Sequence, residues 1–181
     1  MTMAKIYTRT GDRGDTNVMG TDRKVSKASP RIEALGDVDE LNSAIGMALA
    51  FQSDARIGEI LRTVQNALFT VGAELGTAPK SGVKIPRVSA EHVAALERAM
   101  DAMDPGEVRE FIMPRGSPAV ASLHLARAVA RRAERRCVAL ADFEDVNPEL
   151  LRYMNRLSSL LYTMVVWFQR QEGLSEEHPT Y

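Results

Sequence analysis

The sequence predicts an all-α fold, a five-helix bundle with an extended arm at its N-terminus, on three observations. Five segments carry apolar residues at helical spacing, and capping or breaking residues bound them. The first 30 residues lack that period and are polar and glycine-bearing. No Pro/Gly/Ser-rich linker, repeat or low-complexity stretch divides the 181 residues, so one domain is expected. Its parts are an arm over 1–30, a bundle over 31–173 and a tail over 174–181.

In the arm, Lys5 to Thr10 alternates like a short strand, and Gly11 to Ser29 has no regular pattern. A segment that long without structure in a small domain is usually functional or disordered. The first helix is expected from about Arg31 to Phe51, with Ile32, Leu35, Val38, Leu41, Ile45 and Leu49 inward. Ser53 can cap the second, which turns Ile57, Ile60, Leu61, Val64, Leu68, Val71 and Leu75 to the core and stops at Gly76 and Pro79. Ser89 caps a shorter helix that ends at Asp104-Pro105-Gly106. Ser117-Pro118 and Asn147-Pro148 open the fourth and fifth, with proline at the first helical position, where its missing N–H costs nothing. The fifth runs through Leu151, Leu157, Leu161 and Val165 to Gly173.

Composition excludes several classes. A formal net charge of -1 opposes a general nucleic-acid coat, and no apolar run is long enough to span a bilayer. One cysteine, Cys137, cannot form an internal disulfide, and no secretory leader opens the chain, so a cytoplasmic location is expected. None of His92, His124 and His178 sits in E-x-x-H, which excludes a di-iron carboxylate bundle, and no His/Cys spacing suggests zinc. Cys137 reads as a core residue, His124 as a hydrogen-bonded structural histidine, and Phe111 as an apolar anchor before the fourth helix.

Of 23 basic residues, 18 are arginine. Five of them lie between Arg127 and Arg136. At about 100° per residue, Arg127, Arg131 and Arg135 form one stripe with Glu134 beside it, and Arg132 and Arg136 lie on its flank. Ala126, Ala130, Ala133 and Cys137 form the opposite, small-residue face. Like charges one turn apart repel, and one glutamate cannot neutralise five arginines. Solvent, acids from another element or a bound polyanion must compensate. Asp37, Asp39 and Glu40 on the first helix are candidates, and Asn155 on the fifth can hold a neighbouring helix or a nucleotide oxygen. In the arm, Thr8-Arg9-Thr10-Gly11-Asp12-Arg13-Gly14-Asp15-Thr16 sets two glycines among hydroxyls, which suits backbone N–H groups converging on an anion. Arg9, Lys24 and Lys27 add charge, although the loop is neither a Walker A nor a dinucleotide fingerprint.

Four blocks, in order, resemble the PduO-type ATP:corrinoid adenosyltransferases: Thr10 to Thr16; Gly36-Asp37-Val38-Asp39-Glu40-Leu41-Asn42-Ser43; Phe111-Ile112-Met113-Pro114 with Gly116-Ser117; and Arg127 to Arg136 followed by Asn155-Arg156-Leu157-Ser158. Arg115 stands where that family often has a second glycine. The resemblance implies a homotrimer of five-helix bundles with the active site between subunits. It implies ATP held by Thr8, Arg9, Thr10, Gly11, Thr16 and Lys27 of the arm, and by Arg131, Arg132, Glu134, Arg135 and Asn155. Mg²⁺ would ride on the phosphates without a dedicated protein site. Arg127 would pair with Asp39 across the subunit boundary, and Phe111 would lie under the corrin ring and displace cobalt's lower ligand. Phe111 and Arg132 are then the residues closest to catalysis. The implied reaction moves the 5′-deoxyadenosyl group of ATP to Co(I) of cobalamin and releases triphosphate. The implied partners are a Co(II) reductase and a B12-dependent enzyme that takes the product, with no nucleic acid or membrane.

Two other readings stay open. A helical RNA- or DNA-binding adaptor would use the arginine helix as its footprint and bind with a steep salt dependence. A regulatory nucleotide-binding bundle would bind ATP without turning it over.

Overall fold

The computed structural model describes residues 7, 9–104, 106 and 112–173. Within them lie a two-stranded antiparallel hairpin, β1 (Asp15–Asn17) and β2 (Lys24–Ser26), and five helices. The helices are α1 (Pro30–Ala50), α2 (Ala55–Leu75), α3 (Ala90–Met103), α4 (Pro118–Ala141) and α5 (Pro148–Gln171). They pack in the order α2, α1, α4, α5, α3, with α1 against α4 and α4 against α5 at the centre.

The helix boundaries follow the expected signals, with one shift. The cap of α2 is Asp54 rather than Ser53: its carboxylate accepts from the N–H groups of Arg56 at 2.8 Å and Ile57 at 3.1 Å. Ser89 caps α3 together with His92, whose Nδ1 accepts from the Ser89 N–H at 3.1 Å. The Asn147 Oδ1 accepts from Glu149 N–H at 3.0 Å and opens α5.

The strand expected over Lys5 to Thr10 is not where the sheet forms. Residues 5, 6 and 8 lie outside the described residues, and Arg9 has φ 60, a left-handed conformation that a strand does not accept. Extended pairing comes later, with Thr16 opposite Val25.

The α4 small-residue face is buried as expected, with Ala126, Ala130, Ala133 and Cys137 all inaccessible. Small side chains let α1 approach closely, and α1, which packs against α4 and α2, buries Ala34, Val38, Leu41, Ile45 and Ala48. The α1 core face is therefore turned from the expected one: Ile32, Leu35 and Leu49 are half-buried.

Arg31 takes the place of an apolar residue at the start of that face and is buried. Its Nη1 donates to the carbonyls of Leu75 at 2.7 Å and Thr77 at 3.0 Å, while Nε and Nη2 both donate to Glu144 Oε2, at 3.0 and 2.6 Å. A buried guanidinium is tolerable only with its donors engaged in this way. Beside it, the buried Glu74 carboxylate accepts from Val88 N–H at 2.6 Å, Arg87 Nε at 3.2 Å and Asn147 Nδ2 at 3.1 Å. One end of the bundle is thus tied by charged hydrogen bonds in addition to the apolar packing of Leu75, Val88 and Leu150.

Candidate active site

The arginine helix divides its charge between two neighbours. On the α1 side, Arg132 binds Glu40 through Nη2 and lies 3.6 Å from Asp37 through Nε. Arg136 binds Glu33 at 3.1 Å and Asp37 at 3.6 Å. Hydrogen bonding to Glu40 raises the Arg132 pKa, so its charge is fixed. Glu33, Asp37 and Glu40 recur at i, i+4 and i+7, so they form a stripe matched to Arg136 and Arg132 on the antiparallel α4. Asp37 and Glu40 were legible as partners from sequence; Glu33 was missed, although its spacing from Asp37 carried the signal.

On the α5 side, Glu134 accepts from Asn155 Nδ2 at 2.7 Å, and the Arg127 guanidinium lies 5.5 Å from the centre of the Tyr162 ring. Arg131 and Arg135 are exposed, and neither forms an ion pair with any described residue. Acids of α1 therefore offset Arg132 and Arg136 but leave a cationic edge at Arg131 and Arg135, flanked by the Glu134–Asn155 pair.

The arm forms a second cluster. Gly11 C=O accepts from Lys27 Nζ at 3.0 Å and from Gly14 N–H at 3.1 Å, and Gly14 C=O accepts from Lys27 N–H at 2.8 Å. Gly14 sits at φ 84, where a side chain would be strained. An added Cβ at Gly11 would lie 3.0 Å from Lys27 Nζ and 3.3 Å from the Asp15 carbonyl, so a side chain there would push Lys27 aside. Thr16 is half-buried in β1, Thr10 is exposed, and Arg9 lies 5.4 Å from the Tyr7 ring centre. Thr8 and Phe111 lie outside the described residues.

The structure gathers Gly11, Gly14 and Lys27 in one place and Arg131, Glu134, Arg135 and Asn155 in another. No hydrogen bond or ion pair joins the two clusters among the described residues. Arg127 and Asp39 likewise form no ion pair within one chain. Asp39 is exposed and lines an open groove of about 540 Å³ between α1 and α2, together with Ile32, Leu35 and the exposed Phe69.

Two buried groups of α4 bear on the chemistry. Burial, then the Asp37 and Glu134 charges, push the Cys137 thiol up to about 12, which keeps it protonated. His124 is buried with no hydrogen-bond partner for either ring nitrogen among the described residues, and burial, then the Arg127 charge, lower its pKa to about 4. The expected hydrogen-bonded histidine is therefore buried but unbonded. Its imidazole is neutral at physiological pH. No group of three or more His, Cys, Asp or Glu side chains converges as a metal site among the described residues, and no described helix is long and apolar enough to cross a membrane.

Residues 6–168 match the model of the family described as cobalamin adenosyltransferase. The chain belongs to the cobalamin adenosyltransferase family. Among its relatives in that family, the corrinoid adenosyltransferase PduO of Citrobacter freundii is 43% identical over 163 residues, covering 88% of this chain and 48% of its own. The chain thus spans about half the length of that PduO protein. The corrinoid adenosyltransferase of Bacillus subtilis is 38% identical over 179 residues, covering 95% of this chain and 90% of its own. Among solved structures, a variant PduO-type ATP:corrinoid adenosyltransferase from Lactobacillus reuteri, complexed with cobalamin and ATP, superposes with a TM-score of 0.89 at 31% identity. That match covers 97% of this chain and 96% of the other. A cobalamin adenosyltransferase fold therefore carries both the arm cluster and the arginine helix.

Proposed function

We propose that the chain transfers the 5′-deoxyadenosyl group of ATP to the Co(I) centre of cobalamin or a related corrinoid. The observation that carries this reading is the division of the arginine helix, which leaves Arg131 and Arg135 uncompensated beside Glu134 and Asn155 in a chain of this family. In the reaction, the Co(I) electron pair attacks C5′, the Co–C bond forms, and the C5′–O bond breaks with its electrons leaving on triphosphate. Cobalt is itself the nucleophile, so the protein needs no activated side chain. The protonated Cys137 suits such chemistry. What the protein must supply is fixed positive charge where the triphosphate leaves, and alignment of C5′ with cobalt.

Arg131, Arg132, Arg135 and Asn155 supply one wall of that site, and Thr8, Arg9, Thr10, Gly11, Thr16 and Lys27 the other. No hydrogen bond or ion pair joins the two walls among the described residues, which supports a site completed between subunits of a homotrimer. The exposed Phe69 and Asp39 on the α1–α2 groove suit a neighbouring subunit, with Asp39 taking its Arg127. Mg²⁺ travels with the phosphates. Phe111 excludes a lower ligand from cobalt, which eases reduction to Co(I) by a separate reductase. The product then passes to a B12-dependent enzyme.

An anaerobic assay with chemically reduced cob(I)alamin, ATP and Mg²⁺ tests this. Growth of the alkylcobalamin spectrum that requires both protein and ATP is expected. ATP binding without product would instead favour a nucleotide sensor.

A further inference from the structure

We infer that Arg31 is a positioning residue for the nucleotide-binding arm, acting through the backbone strip Leu75-Gly76-Thr77; this rests on the reading of the arm as the ATP site. The strip is the C-terminal end of α2 with its cap and the residue that follows, and its three carbonyls are shared between Arg31 and the arm. Leu75 and Thr77 accept from Arg31 Nη1 at 2.7 and 3.0 Å. Gly76, between them, accepts from the arm's Met19 N–H at 2.9 Å, and Met19 C=O accepts in turn from Ala78 N–H at 2.8 Å. Arg31 and the arm therefore bind the same strip at adjacent carbonyls.

The strip holds the arm at the β1–β2 connection, through Met19, and just beyond β2, through Arg31. Met19 lies two residues after β1, which carries Thr16, and Arg31 lies four residues after Lys27, which follows β2. Holding these two points fixes where Thr16 and Lys27 stand relative to the bundle, and Gly11 follows through its hydrogen bond from Lys27 Nζ. Ion pairing to Glu144 anchors the guanidinium to the turn after α4, the helix that bears the arginine stripe. Next to the bridge, Gly20 has φ 77, and a Cβ there would overlap the Ser81 side chain, lying 2.6 Å from its Oγ. This close approach gives a second way to disturb the dock without touching Arg31.

A buried ion pair is weak support for stability in itself, since an apolar pair of similar volume often serves as well. Here the planar fork does what an apolar residue cannot: it holds two carbonyls and a carboxylate at fixed angles.

The test compares wild type with Arg31→Gln, Arg31→Lys, Gly20→Ala and the double variant Gly20→Ala/Ser81→Gly. Amide hydrogen exchange of the ligand-free protein reads the Met19 and Ala78 N–H groups directly. Arg31→Gln should speed exchange at these two amides at least about tenfold and leave α4 and α5 amides unchanged, the least that losing the charged hydrogen bonds to the strip implies. The same variant should raise KM for ATP about tenfold with kcat at saturating ATP within about twofold. Arg31→Lys should fall between. Gly20→Ala should reproduce the pattern, and adding Ser81→Gly should recover part of it, which keeps the test open if Arg31→Gln does not fold. Faster exchange spread evenly over the helices, with KM for ATP unchanged, would overturn the inference and leave Arg31 a core tie. Should wild type transfer no adenosyl group, the functional reading fails by itself, and the exchange pattern with calorimetric ATP affinity still decides the role of Arg31.

Discussion

Arg132 and Arg136 meet acids of α1 while Arg131 and Arg135 do not, and this sets what single substitutions should do. Arg132 already uses Nη2 on Glu40 and Nε toward Asp37, so only a planar fork has donors to spare for a phosphate. Arg132→Lys keeps the charge and loses the fork. Turnover in the anaerobic assay should fall about 10- to 100-fold, with the thermal midpoint barely moved because the pair is partly exposed. Near-normal kinetics would count against a phosphate contact. Phe111→Ala should suppress the four-coordinate Co(II) spectrum of the ATP-bound enzyme more than it weakens ATP binding. An unchanged spectrum would sink the ligand-excluding role.

His124 gives a prediction in pH. Its pKa is about 4 in the folded chain, against 6.5 when free, so the unfolded state binds the extra proton between those values. Stability is therefore full above about pH 6.5 and declines as pH falls through about 4, by up to roughly 3 kcal/mol. Urea melts of wild type and His124→Asn across that window should differ in slope, with the variant flatter. Parallel slopes would mean that His124 titrates normally.

Among the helices, α4 does the most to set the architecture, because alanines line one side and arginines the other. Ala133 is inaccessible, and Ala133→Leu should cost about 1–3 kcal/mol by overpacking, read as a lower denaturation midpoint. An unchanged midpoint would show that the α1–α4 contact has room to spare. The five helices were legible because apolar period, capping residues and proline at the first helical position agreed with one another. The burial face of α1 was less so, since Ile32 and Leu35 fit an apolar period as well as Ala34 does. Arg31 was not legible at all: its partners lie 44 to 113 residues away, and no local pattern reveals them. Strands of three residues are too short to show alternation, which is why β1 and β2 escaped notice. The arginine stripe and its α1 acids were readable as a site because charge at helical spacing demands compensation. Their division into a neutralised flank and an open edge required the fold.

At the scale of the whole molecule, the prediction concerns assembly. Asp39→Arg and Arg127→Asp should each lower the sedimentation mass at micromolar concentration, and the double swap should restore it. Two single variants of unchanged mass would show that this pair does not bridge subunits. Such experiments need a readout of folding that ignores assembly, and the chain carries one. Its single thiol, Cys137, is inaccessible in the core and is pushed up to about 12, so an alkylating reagent meets no thiolate while the bundle stays closed. Labelling then clocks the opening of the α1–α4 seam. Each variant chain records in its own mass whether lost activity came from a damaged site or from a bundle that had come apart.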